Sequence, residues 1–316
     1  MDTKFRSVVC DFCGSNEKNI IGIPEISEIV ENNINIPKEI FVVKCKKCGF
    51  YYTDPMPFWG PKDIEKLYGA QYFPEYSDWW RDIRENINPN RRLDLIQKYH
   101  TGRVANILEV GCGEGLMMRQ AVRRGWKVYG QDVSRHNAIM VKQKLGIDIF
   151  VGELESAKYQ DDFFDAIYLD SVIEHVPEPT KIIEEIYRIL KPNGLLYIVC
   201  PNEDALANYV KQMIFWLKGK KTSSRLSPFY NPYHIIGFNK KVFKNITKHK
   251  LFDAKYIFIG RDFRACNSKK YINESKLNWR GRLEEQLWNI IYSIGDRMGL
   301  GTNIEVLYSA IKRGNR

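Results

Sequence analysis

A chain of 316 residues with 44% hydrophobic and 13% aromatic residues has the apolar surface for a true core, which excludes a disordered protein. Its formal charge of +10 favours anionic partners such as a nucleic acid, a phosphosugar or an acidic membrane surface. No run approaches the roughly 18 apolar residues of a spanning helix, and MDTKFRSVVC lacks a signal-peptide core, so a cytoplasmic protein with reduced cysteines is expected.

Three zones follow in chain order. Residues 1–53 hold two C-x-x-C-G knuckles, CDFCG (Cys10, Cys13) and CKKCG (Cys45, Cys48). Two residues between thiolates let both reach one metal, and the glycine allows the tight turn beneath it. Four thiolates make a closed tetrahedral zinc site with no position left for water, so the metal is read as structural. This zone is expected to be a zinc-ribbon-like module. Residues 54–101 open on the turn-rich DPMPFWGP and continue through aromatic, mostly helical sequence, read as a helical lid or linker.

From 102 to 316, short apolar runs alternate with amphipathic helices, the pattern of a parallel sheet covered on both faces. The strand candidates are NILEVG, KVYGQD, IDIFVG, FDAIYLD, GLLYIVC, AKYIFIG and EVLYSAIK. A helical insertion at about 263–300 precedes the last strand.

The first of these strands runs into the glycine turn GCGEG, and GLMMRQAV then starts a helix. Gly111, Gly113 and Gly115 let the backbone turn sharply against a ligand, with amide donors from the helix N-terminus. A dinucleotide loop has its third glycine one position later. That position is Leu116, which weakens a nicotinamide reading. Glu109 suits a cationic amino-acid group better than a pyrophosphate. Asp132 follows the second strand, where an acid accepts ribose hydroxyls, and Ser134 is the better helix cap. Glu153 and Leu154 end the third strand, as an adenine acceptor and an apolar wall.

Taken together, E-x-G-C-G-x-G, the acid after strand two, FD-x-I-x-x-x-x-V-x-EHV and L-K-P-x-G resemble a class I S-adenosylmethionine-dependent methyltransferase. The resemblance implies an α/β fold, a Rossmann-like seven-stranded sheet carrying the N-terminal zinc ribbon and helical lid. It implies S-adenosylmethionine as cofactor, contacted by Glu109, Gly111, Cys112, Gly113, Gly115, Asp132, Val133, Glu153, Leu154 and Asp170. Asn193 departs from the family's usual glycine, in a turn that tolerates it. The knuckles, CGFYYTDPMP and LYGAQYF resemble the N-terminus of zinc-binding sugar C-methyltransferases and relatives that accompany surface-polysaccharide biosynthesis. There an aromatic closes over the cofactor, which points to Tyr72, with Tyr68 behind it.

The candidate catalytic residues are His175, after strand four, and His234, in NPYHIIGF. The related sugar enzymes have a Glu-His pair at the second place. Here Tyr233 stands for the glutamate, which keeps His234 as a base or substrate contact and weighs against C-methylation beside a ketone. The fourth strand ends in DSVI rather than D/N-P-P-Y/F, which disfavours methylation of a nucleobase amine.

The leading expectation is methylation of a small-molecule or glycan-linked substrate, such as a sugar or surface-polysaccharide intermediate. An RNA methyltransferase with a zinc-binding N-terminus is the alternative, although the basic residues are scattered with no aromatic platform and nucleic acid is disfavoured. A non-catalytic binding protein on the same scaffold is the other. The apolar helices near 205–218 and 283–298 fit core, a dimer face or a peripheral membrane contact. No feature specifies an oligomeric state.

Overall fold

The computed structural model describes residues 3–26, 35–69, 82–226, 233–248, 251–261 and 279–312. Its main sheet has seven strands: β6 (Asn106–Val110), β7 (Lys127–Asp132), β8 (Phe150–Val151), β9 (Phe164–Asp170), β10 (Leu190–Pro201), β12 (Phe252–Gly260) and β13 (Asn303–Ala310). They lie in the order β12-β13-β10-β9-β6-β7-β8. The strands from β10 to β8 are parallel, and β13 runs antiparallel between β10 and β12. This is the Rossmann-like seven-stranded α/β sheet that the resemblance implies, and all seven expected strand segments are in it.

Side-chain alternation divides the core. Leu108, Ile167, Leu169, Leu196 and Ile198 face one layer. Ile107, Ala166, Tyr168, Leu195 and Tyr197 face the other, against Leu93 and Ile96 of helix α2 (Asn88–Tyr99) and Met117 and Ala121 of helix α3 (Leu116–Arg123). Because both faces are covered, β9 reads as a nearly continuous buried run. Ser134 caps helix α4 (Arg135–Leu145) by accepting from the Asn137 amide, as expected of it. Asn193 takes φ +61°, a left-handed conformation that asparagine tolerates.

The cysteine-bearing strands form a second sheet, with β2 (Lys18–Gly22), β3 (Phe41–Cys45) and β4 (Tyr51–Asp54) in antiparallel sequence. Its fourth strand comes from far along the chain: β11 (Ile236–Gly237) pairs with β4 through Tyr52 and Tyr51. The Thr53 amide also donates to the Ile235 carbonyl at 3.0 Å. Phe50 meets Phe12 and Phe238 edge-on at 4.8 and 5.5 Å, so cysteine module and main sheet share one apolar core. This joint holds the segment that carries His234.

Helix α6 (Leu206–Leu217) and helix α8 (Trp279–Arg297) touch, and both leave large apolar side chains exposed, Trp216 and Ile290 among them. No described helix is long and apolar enough to cross a membrane.

Candidate functional site

Strand order reverses at β6, with β7 on one side and β9 on the other. In open parallel sheets ligands bind beyond the carboxyl ends of the strands at such a point. A cavity of about 940 Å³ lies there. It is lined by Glu109, Gly111, Cys112, Gly113, Asp132, Val133, Glu153, Leu154, Asp170, His175 and His234. Eleven of the residues singled out from sequence thus converge on one space, from segments spread over more than 120 positions.

Hydrogen bonds set the shape of the glycine turn. Asp132 accepts from the Gly113 amide through Oδ2 and from the Ser134 amide through Oδ1, both at 2.8 Å. Each carboxylate oxygen has a second acceptor direction, so these bonds orient Asp132 without exhausting it. Burial raises its carboxyl pKa, against the amide bonds that lower it. Glu109 accepts from the Met118 amide in the first turn of α3 at 3.0 Å. Burial pushes the Glu109 carboxyl well above its ordinary value. Gln131, which the sequence reading passed over, joins the turn to the neighbouring strands: it accepts from the Gly111 amide at 3.2 Å and donates to the Gly152 carbonyl.

Gly111 has φ +60°, and a Cβ there would come within 2.5 Å of Val172 Cγ2. Gly115 stands apart from the other expected cofactor contacts. It is absent from the cavity lining, and a Cβ on it would meet Leu145 and Val141 on the α4 side. With φ +71° it turns the chain into α3 and lets two helices approach. Tyr72 falls outside the described residues. Tyr68 lines the cavity, with its hydroxyl 3.3 Å from His175 Nδ1.

Asp170 is tied down. Its Oδ2 accepts from Arg92 Nη1 at 2.5 Å and from the Tyr168 hydroxyl at 3.0 Å. Arg92 is 1% exposed and also reaches Glu305 at 3.3 Å, so its charge is paired on both sides. Sequence inspection missed Arg92 because its partners lie on β9 and β13.

In the lining of the same cavity the His175 and His234 rings meet edge-on at 5.0 Å. His175 Nδ1 lies 3.0 Å from the Tyr233 carbonyl. Burial lowers both imidazoles, His175 to about 4 and His234 well below its ordinary value with His175 beside it, so both are neutral near pH 7. Tyr233, at the position expected to hold glutamate, packs with Ile40 and Leu67 instead. A carboxylate does reach His234: Glu174 Oε1 lies 3.8 Å from its Nε2. Glu174 belongs to the EHV stretch, so the sequence signal was present, but the pairing is across the fold. The Ile235 amide donates to the Glu174 carbonyl at 3.0 Å and joins the two segments.

The four N-terminal cysteines converge as well. Their sulfurs lie within 4.8 Å of one another, with Cys10–Cys48 at 3.3 Å and Cys13–Cys45 at 3.5 Å, and none is in a disulfide. Zinc–sulfur bonds of about 2.3 Å in a tetrahedron separate sulfurs by roughly 3.8 Å, so the donor set fits that ion. The thiols are close enough to share protons: the hydrogen bond between Cys10 and Cys48 lowers the Cys48 thiol and raises that of Cys10. Gly14 and Gly49 take φ +64° and +84° beneath the knuckles, as the turn requires.

Residues 108–198 match the family model described as a methyltransferase domain. That stretch is similar to a methyltransferase domain. It contains the glycine turn, Asp132, Asp170 and the EHV segment. A ubiquinone biosynthesis O-methyltransferase of Coxiella burnetii is 29% identical over 153 residues, 45% of this chain and 65% of that protein. The chain thus spans just under two thirds of that relative's length. One from Pelagibacter ubique is 28% identical over 212 residues, 63% of this chain and 82% of the relative. Among solved structures, a SAM-dependent methyltransferase from Archaeoglobus fulgidus superposes with a TM-score of 0.49 at 17% identity, covering 78% of this chain and 97% of that one.

Proposed function

We propose that this protein is an S-adenosylmethionine-dependent methyltransferase acting on a hydroxyl of a small or glycan-linked acceptor. The observation that carries the reading is one cavity lined by the glycine turn, Glu109, Asp132 and two neutral histidines. The cofactor fits this donor set. Gly111 and Gly113 leave backbone exposed to it, Asp132 accepts ribose hydroxyls, Glu153 and Leu154 flank the adenine, and Glu109 faces the amino-acid portion. When bound, S-adenosylmethionine supplies a methyl group activated by its sulfonium. The protein's own task is to hold the acceptor aligned and close and to exclude water, which removes much of the entropic part of the barrier to such a displacement. His175 and His234 are the groups placed to contact the acceptor.

Oxygen as acceptor atom is supported by the curated relatives, which are named as O-methyltransferases. The glycan-linked acceptor rests on the N-terminal resemblance. Cys10, Cys13, Cys45 and Cys48 hold a structural zinc that stabilises the sheet completed by β11 and so fixes His234.

Calorimetry with S-adenosylmethionine tests the reading. Wild type is expected to bind, and Asp132→Ala to bind at least tenfold more weakly, the loss of a hydrogen-bonded charge being worth about 1.5–3 kcal/mol. Tritiated methyl transfer into pools of sugar nucleotides, phenols and RNA then identifies the acceptor. No binding by wild type would sink the enzyme reading, and label in RNA alone would replace the acceptor class.

A further inference from the structure

We propose that Glu174, His175 and His234 form a second metal site, for a divalent transition ion at the acceptor end of the cavity. One ligand atom from each lies within 4.8 Å of the other two. They stand on two segments that the Ile235–Glu174 backbone hydrogen bond already joins.

The carboxylate makes the case. Glu174 is 2% exposed, and neither of its side-chain oxygens accepts a hydrogen bond. A buried acceptor left without a partner costs about 1–3 kcal/mol, more if charged. A cation between Glu174 and the two rings supplies the missing partner. The Tyr233 carbonyl beside His175 Nδ1 is the second neighbour that metal-bound imidazoles usually have, a carbonyl or carboxylate that sets the ring's orientation.

Donor chemistry selects the ion. Two imidazoles and one carboxylate suit zinc, iron(II) or manganese(II), whereas magnesium and calcium take oxygen sets. Ligand bonds of about 2.0–2.2 Å need donors about 3–3.5 Å apart, so the cluster tightens by roughly an ångström on binding. Three protein ligands leave coordination open, and both histidines line the cavity. An ion there lowers the pKa of an acceptor hydroxyl that reaches it. This deepens the methyltransferase reading and rests on it for the acceptor's position. The tetrathiolate site lies elsewhere, on other residues, and is closed.

Cobalt(II) loaded into the metal-free full-length protein distinguishes the two sites. Wild type is expected to take two ions per chain by elemental analysis. One gives intense thiolate charge-transfer absorption, the other only weak visible bands of nitrogen and oxygen ligation. Glu174→Gln and His234→Ala are each expected to take one ion and to keep the thiolate signature, which also reports that the fold survives. If one variant loses that signature through misfolding, the other decides. A wild type that binds one ion, or folded variants that still bind two, overturns the proposal. S-adenosylmethionine calorimetry on the same samples is read separately: its failure sinks the methyltransferase reading and leaves the ion count standing.

Discussion

Replacing Gly111 by alanine adds one methyl group at the most constrained point of the glycine turn. Two costs follow from the structure. The residue has φ +60°, where an L side chain costs about 1–2 kcal/mol. The new Cβ would also lie 2.5 and 2.9 Å from the two methyl carbons of Val172. Valine is stiff about χ1 and cannot swing aside, and forcing a methyl into such a contact costs about 1–3 kcal/mol. The sum is about 2–5 kcal/mol, or several degrees in melting temperature. Gly146 provides the control. It has φ +71° with nothing within 4 Å of its would-be Cβ, so Gly146→Ala carries the strain without the collision. Urea melts should therefore rank Gly111→Ala below Gly146→Ala by about 1–3 kcal/mol. Adding Val172→Ala to Gly111→Ala should recover most of that difference. Calorimetry should show the single variant losing affinity for S-adenosylmethionine, because the turn must shift to relieve the contact. Equal destabilisation of the two glycine variants would refute the packing argument.

Glu203 should make stability depend on pH. Burial raises its carboxyl from 4.5 to about 7, opposed by the Leu226 amide and Arg225. Between those values the folded chain keeps a proton that the unfolded chain has released, so this contribution is full below pH 4.5 and is lost as pH rises through about 7. The loss is on the order of 3 kcal/mol. Glu203→Gln should flatten the profile across that window, and thermal melts that stay parallel to wild type would dismiss the assignment. Stripping metal with a chelator should lower the melting temperature and expose Cys10, Cys13, Cys45 and Cys48 to thiol reagents. Cys45→Ser should do the same without chelator, and an unchanged melt in both cases would remove the structural role of the ion.

Local pattern carries much of this protein. Apolar runs such as FDAIYLD, the glycines before α3, Ser134 ahead of α4 and the two knuckles each act within a few residues, through backbone sterics, capping or burial period. Those forces are written in short stretches, so the seven strands, the glycine turn and the cysteine knuckles were legible before any folding was considered. Which way the Gly115 α-carbon faces was not legible, because it depends on which helix packs behind the turn, and Leu145 and Val141 decide that. Glu174 beside His234 and Arg92 between Asp170 and Glu305 were decided only by tertiary structure. Their partners come from different strands and zones, and only the closing of the sheet and the seating of β11 on the cysteine module bring them within reach.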